Sequence, residues 1–289
     1  MNDQTRWVAY YVEDPSKLAQ PGAVRIMCLS DTHSCHDKIP KKRIKYPADI
    51  AIHAGDFTNV GKREDVIKFR EWFKNLPTTY KLLIAGNHDL SFDDEIQQKH
   101  PFYFKYRRYT EPPELSKKEI ACPEIIYDEE SVVELMGIKF YCSPRSPFIE
   151  GWGFPSRIEN EGKEWEKIDD SIDVVVTHSP PAGILDFEIG EGGIGDPYLA
   201  QKIQKCKTPL HIFGHAHCCN GCYRHGNTLH VNCATVNINN KYKYPPIYID
   251  LIKTGEKFDE PDRYLTIQEL IDLSFFKNPL YVPEELEES

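Results

Sequence analysis

Leu82-Leu83-Ile84-Ala85-Gly86-Asn87-His88-Asp89 is an apolar stretch that stops at a glycine and then presents an amide, an imidazole and a carboxylate. The apolar part reads as a buried strand. In open α/β sheets such strands are covered on both faces, so polar chemistry gathers just past their carboxyl ends, where ligands bind. On its own the Gly-Asn-His-Asp word also suits an ordinary turn, because Gly and Asn tolerate left-handed backbone. Its weight comes from repetition elsewhere in the chain.

Working outward, Ala23 to Ser30 is apolar and β-branched and ends at Asp31-Thr32-His33. Asp49 to Ala54 runs into Gly55-Asp56-Phe57-Thr58-Asn59-Val60-Gly61, followed by Val66, Phe69, Trp72 and Phe73 at helical spacing across Lys62 to Asn75. Strand, polar loop and helix then lead into the Leu82 strand, which predicts right-handed βαβ units and a parallel sheet. Asp173 to Thr177 delivers His178-Ser179-Pro180-Pro181, and Pro209 to Phe213 ends at Gly214-His215-Ala216-His217. A helix is expected over Pro197 to Lys205 between them. Asp49, and His53 within its strand, read as structural.

Asp31, His33, Asp56, Asn87, His178, His215 and His217 thus offer seven oxygen or nitrogen donors, each just past a strand end. Seven side chains overcrowd one ion. Two ions about 3.5–4 Å apart, sharing one carboxylate, use them all. A nitrogen and oxygen set without thiolate suits Mn, Fe or Zn and does not choose among them. His88 is left over as a group able to act as an acid, and Asn87 can also donate its amide to a phosphate oxygen.

The remaining sequence bounds the class. With 289 residues, 40% of them apolar, and no linker, repeat or low-complexity run, the chain can fill one sizeable core. We divide it into an N-terminal extension over 1–22, one domain over 23–251, and a C-terminal extension over 252–289. In that last part, Leu265, Ile267, Leu270, Ile271 and Phe275 predict a docked helix, followed by an acidic tail. A net charge of −10, spread along the chain, argues against a polymeric nucleic-acid partner. No signal-peptide pattern or membrane-length apolar run is visible, and nine cysteines without a secretion signal point to reduced thiols in the cytoplasm. A hairpin is expected where Ser131–Leu135 and Ile138–Cys142 flank Met136-Gly137. The Pro, Gly and aromatic-rich Ser143 to Phe154 loop is placed to shape access to a site. The basic-aromatic run Phe102 to Tyr109 reads as a surface loop, Cys218-Cys219-Asn220-Gly221-Cys222 as free thiols rather than a zinc site, and His36 alone is near enough to Asp31 in sequence to support it.

The words D-x-H, GDxxxxG, GNHD, TH and GHxH, in that order across roughly residues 24 to 250, resemble those of the calcineurin-like metallophosphoesterase superfamily. Gly151-Trp152-Gly153-Phe154, His178-Ser179-Pro180-Pro181 and Pro245 to Leu251 look like its metallophosphoesterase-domain (MPPED, or 239-type) phosphodiesterases. The resemblance implies a four-layer α/β/β/α sandwich. It also implies that Asp31, His33, Asp56 and His217 hold one divalent ion, and that Asp56, Asn87, His178 and His215 hold the other. His215, replaced by glycine in some relatives, is present here, implying a full two-metal site. Where the Ser/Thr phosphatases of the superfamily place a carboxylate to orient the acidic histidine, this chain has Asn59. Asp89 either compensates or caps the next helix. The implied activity is hydrolysis of small phosphodiesters, cyclic nucleotides among them. A metal-bridging hydroxide would attack, with His88 as general acid. A phosphomonoesterase or a non-catalytic scaffold on the same fold are the alternatives.

Overall fold

The computed structural model describes residues 6–99 and 113–254. The Phe102 to Tyr109 run and nearly all of the C-terminal extension therefore lie outside the described residues. Two six-stranded sheets form the centre. The first runs Arg6–Tyr11, Ile247–Thr254, Val24–Leu29, Ala48–Ala54, Thr78–Ile84 and Ile126–Tyr127. Its last four strands are parallel, whereas Ile247–Thr254 pairs antiparallel with both of its neighbours. The second sheet runs Gly221–His225, Thr228–Asn232, Leu210–Phe213, Val174–Thr177, Ile138–Ser143 and Ser131–Leu135. Its four inner strands are parallel and its edge strands close hairpins.

Layering follows from which side chains each strand buries. Ile26, Ile50, Ile52, Leu82 and Ile84 of the first sheet pack against Phe140, Val174, Val176, Ile212 and Val231 of the second, so the sheets lie face to face. On the outer side of the first sheet, Met27, Leu29, Ala51 and Leu83 meet Val66, Phe69 and Phe73 of the Arg63–Phe73 helix. Full burial of each such Phe contributes about 2 kcal/mol. On the outer side of the second, Tyr141 and Val175 meet Trp165 and the Pro197–Lys205 helix through Leu199 and Ile203. Asp196 caps that helix by accepting from the Leu199 amide at 2.9 Å, and Pro197 occupies its first turn. The result is the α/β/β/α sandwich.

The central strands come out as expected: Val24–Leu29 is buried along its whole length, and the Met136-Gly137 pair has φ of 54° and 72°. Positive φ at both positions is what a tight two-residue hairpin turn requires. One expectation needs correction. Residues 6–11, assigned to the N-terminal extension, form an edge strand of the first sheet that buries Trp7 and Ala9 and pairs with Ile247–Thr254, Arg6 opposite Thr254.

Candidate metal centre

The strands of both sheets discharge their chemistry at one edge of the sandwich. Asp31 and His33 follow Val24–Leu29, Asp56 follows Ala48–Ala54, and Asn87 and His88 follow Thr78–Ile84. His178 follows Val174–Thr177; His215 and His217 follow Leu210–Phe213. Four of these donors sit in left-handed backbone: Asp31 at φ 50°, His33 at 41°, Asp56 at 53° and His215 at 68°. Non-glycine residues rarely hold that conformation, and where they do the surroundings over-determine it. Here the surroundings are close backbone approaches. A Cβ on Gly86 would lie 2.3 Å from Asp56 Oδ1, and one on Gly214 would lie 2.0 Å from Asp31 Oδ2. Both glycines exist to let a carboxylate come in against the next strand.

Ligand atoms of Asp31, His33 and His217 lie within 4.8 Å of one another, as do those of Asp56, His178 and His215. Asp56 joins the two groups. Its Oδ2 stands 3.6 Å from His33 Nε2 on one side and 3.4 Å from His178 Nε2 on the other. His217 Nε2 is 3.2 Å from both His33 Nε2 and Asp31 Oδ1, and Asn87 Oδ1 is 3.0 Å from His178 Nε2. The structure therefore brings all seven sequence-predicted donors together.

The donor set fits a pair of cations. His178 Nδ1 lies 2.8 Å from the Ala54 carbonyl, to which it donates. In the neutral ring Nε2 is then a bare lone pair facing the Asn87 and Asp56 oxygens: three acceptors and no donor. A proton or a metal ion must sit there. The titration behaviour says the same. Burial works against charge on His178, but the charge of Asp56 and the bond to it outweigh burial and raise the ring to about 9. His33 and His215 are driven down by burial to about 3, and stay neutral and available as ligands. Burial alone would raise Asp31 and Asp56; the neighbouring histidines prevail and hold both carboxylates well below their ordinary range.

Several supports had no signature in the sequence. Asp31 accepts the His215 amide at 3.0 Å, and Asp56 Oδ1 accepts the His88 amide at 2.8 Å, so each carboxylate also fixes a neighbouring loop. Glu188, on a small Gly-rich hairpin, accepts the His217 amide at 2.7 Å. His88 Nδ1 donates to the backbone carbonyl of Asn59 at 3.0 Å, and the Trp152 ring lies over His88 with centroids 3.8 Å apart. Burial lowers the His88 pKa.

His88 bonds Asp56 and the Asn59 carbonyl, whereas the Asp89 carboxylate accepts from Gly86, Phe57 and Thr58. His36 turns away from Asp31 and packs on Phe69 and Trp72, because its short 3₁₀ turn points the ring at the Arg63–Phe73 helix. His53 bonds Thr32 at 3.1 Å and packs among Phe57, Phe69 and Phe73, while Asp49 accepts the Arg25 amide at 2.7 Å, so both are structural. Cys218 and Cys219 bond Glu188 and the Phe187 carbonyl, and no cysteine joins a metal-ligand cluster among the described residues.

Residues 24–219 match the family model described as calcineurin-like phosphoesterase. Over 238 residues the chain is 37% identical to metallophosphoesterase domain-containing protein 1 of Homo sapiens, covering 80% of this chain and 72% of that protein. It is 33% identical over 230 residues to a UPF0046 protein of Caenorhabditis elegans, covering 78% and 74%. A solved crystal structure superposes with a TM-score of 0.52 at 15% identity, over 80% of this chain and 99% of that one, a likeness of fold.

Proposed function

The chain belongs to the calcineurin-like phosphoesterase family, and from that premise we propose that it hydrolyses small phosphodiesters, cyclic nucleotides among them, with two divalent ions held by the seven donors. The observation that carries this reading is the Asp56 carboxylate, whose Oδ2 stands between His33 Nε2 and His178 Nε2 and so joins the Asp31, His33 and His217 group to the His178 and His215 group. One carboxylate between two imidazole clusters is the arrangement of a shared ligand. When bound, two such ions supply an activated water and positive charge that offsets the charge building on the phosphoryl oxygens.

The chain's own residues supply the rest. Asp31, His33, Asp56 and His217 would hold one ion, and Asp56, Asn87, His178 and His215 the other. Asn87 would ligate through Oδ1, leaving its amide N–H for a phosphate oxygen. His88, with Nδ1–H held by the Asn59 carbonyl, gives the Nε2 proton of its imidazolium form to the leaving alkoxide; the Asp56 charge favours that form against burial, and the step contributes of order 10²–10⁴ in rate. An acidic chain accepts an anionic substrate because the ions carry the positive charge, which favours a small ester over a polymer. The nitrogen and oxygen donors suit Mn, Fe or Zn. Nine free cysteines suit a reducing compartment, and we place the protein in the cytoplasm. No helix among the described residues is long and apolar enough to cross a membrane.

The test is hydrolysis of bis-p-nitrophenyl phosphate against p-nitrophenyl phosphate, with Mn²⁺ restored after chelation, in the wild type, Asp56→Ala and His88→Ala. The expected result is metal-dependent turnover that favours the diester, fails in Asp56→Ala and, because p-nitrophenolate leaves with little protonation, falls only modestly in His88→Ala. Turnover of the monoester alone would make the protein a phosphomonoesterase. Two bound metals with no turnover of either ester would make it a scaffold.

A further inference from the structure

We propose that Trp152 is a positioning residue for His88, the wall that holds the imidazole in the orientation from which it meets the leaving group; this rests on the acid role given to His88 above. His88 is gripped from three directions. Its Nδ1 is tied to the Asn59 carbonyl at 3.0 Å, His33 stands edge-on to it at 4.7 Å and 89°, and the Trp152 ring covers one face at 3.8 Å and 34°. One hydrogen bond fixes a nitrogen and leaves the ring free to swing about it. An aromatic plane lying on the ring removes that freedom.

The indole is itself held by what surrounds it. It packs on an apolar group formed by Leu90 and Ile96 with Val60, residues that flank the Asn59 and His88 loops. Its own loop is strapped to the same turn: the Gly153 amide donates to the Asn87 carbonyl at 2.9 Å, and the Phe154 amide to Asp93 Oδ2 at 2.6 Å. Asp93 in turn takes the amides of Glu95 and Ile96 through Oδ1, so one carboxylate ties the strap to the segment that seats the indole. The anchor is thus built from both sides of the His88 turn.

Two variants and two readouts test it. Trp152→Phe keeps an aromatic face; Trp152→Leu keeps bulk without one. In the Mn²⁺-loaded full chain, kcat and KM are measured for a diester that expels p-nitrophenolate, which needs little protonation, and for one that expels phenolate, which needs more. His88→Ala should depress kcat for the poor leaving group far more than for the good one, and Trp152→Leu should do the same, by about tenfold or more, with KM little changed. The double variant should be no worse than His88→Ala, and Trp152→Phe should stay within about threefold of the wild type. In the Zn²⁺-loaded chain, the slowly exchanging His88 Nδ1–H proton, assigned by its absence in His88→Ala, should persist in Trp152→Phe and vanish in Trp152→Leu. Trp152→Leu that keeps both the proton signal and the wild-type leaving-group dependence would overturn the inference alone. His88→Ala with unchanged leaving-group dependence would overturn the acid role beneath it. If no ester is turned over, the proton signal decides whether Trp152 holds the ring.

Discussion

Asp89 accepts both hydrogen bonds that Thr58 can offer, from its amide at 2.9 Å and from its hydroxyl at 2.7 Å, and it takes the amides of Phe57 at 3.3 Å and Gly86 at 2.9 Å as well. The carboxylate staples the loop carrying Asp56 to the turn carrying Asn87 and His88. Burial, with the Asp56 charge close by, pushes its pKa up. Asp89→Ala would strand four donors, three of them on the backbone. Each unpaired buried donor costs about 1–3 kcal/mol, so a loss on the order of 4 kcal/mol in urea unfolding is expected after partial relaxation. A loss below about 1 kcal/mol would show that water replaces the staple with ease.

Asn59 sits where a carboxylate would orient the acidic histidine, yet it is the Asn59 carbonyl that takes His88 Nδ1. The side chain at 59 is exposed and is not what holds the ring. Asn59→Ala should therefore leave kcat within about threefold of wild type, the effect of an ordinary surface substitution, while His88→Ala removes far more. Steady-state kinetics of the two variants side by side decide it. If Asn59→Ala matches His88→Ala, the side chain rather than the carbonyl carries the orientation.

These two cases mark what could be read from the sequence. All seven donors were legible because each follows an apolar run at a strand end, and a buried parallel strand has no other use for a polar side chain there. The anchors of His88 were not. A backbone carbonyl leaves no mark on residue identity, and Trp152 reaches His88 only because Gly153 bonds Asn87 across more than sixty residues of chain. For His36, sequence distance misleads in the opposite way: five residues from Asp31, its ring points the other way. The Arg6–Tyr11 strand has no local signature, because its partner, Ile247–Thr254, lies more than two hundred residues away and its outer residues are exposed.

Asp186 Oδ2 accepts the amides of Gly183 at 2.9 Å and Gly195 at 3.2 Å, and burial raises its pKa to about 6. An acid whose folded pKa lies above its unfolded value of about 3.9 favours folding while protonated. That contribution is complete below about pH 4 and is lost as pH rises through 6. Asp186→Asn can present one oxygen to the same two amides without ever ionising. Its stability relative to wild type should therefore grow by about 3 kcal/mol between pH 4 and pH 7, as read from denaturation midpoints across that range. Parallel curves for the two proteins would show that Asp186 titrates normally.

His211 and His230 form a buried pair in the second sheet that works in the opposite sense. The Thr177 hydroxyl donates to the Ser179 carbonyl at 2.6 Å, so it accepts from His211 Nε2 at 2.8 Å. His211 Nδ1 is then an acceptor, and His230 Nδ1, 3.3 Å away, must be its donor. Both rings are fixed as neutral tautomers in a chain that ends beside His178. Burial lowers both, His230 to about 3 and His211 well below its ordinary value. The unfolded chain protonates them near pH 6.5, and the folded chain does not. Their contribution is therefore full above pH 6.5 and drains away as pH falls from 6.5 toward 3. His230→Gln keeps an N–H donor for His211 but cannot take up a proton. Around pH 5 its stability should fall less steeply than wild type, by about 1.4 kcal/mol per pH unit for the one titrating group removed. Urea unfolding between pH 7 and pH 4.5 measures the two slopes. Equal slopes would mean that His230 takes up its proton in the folded chain, in which case the tautomers derived for the pair could not both stand.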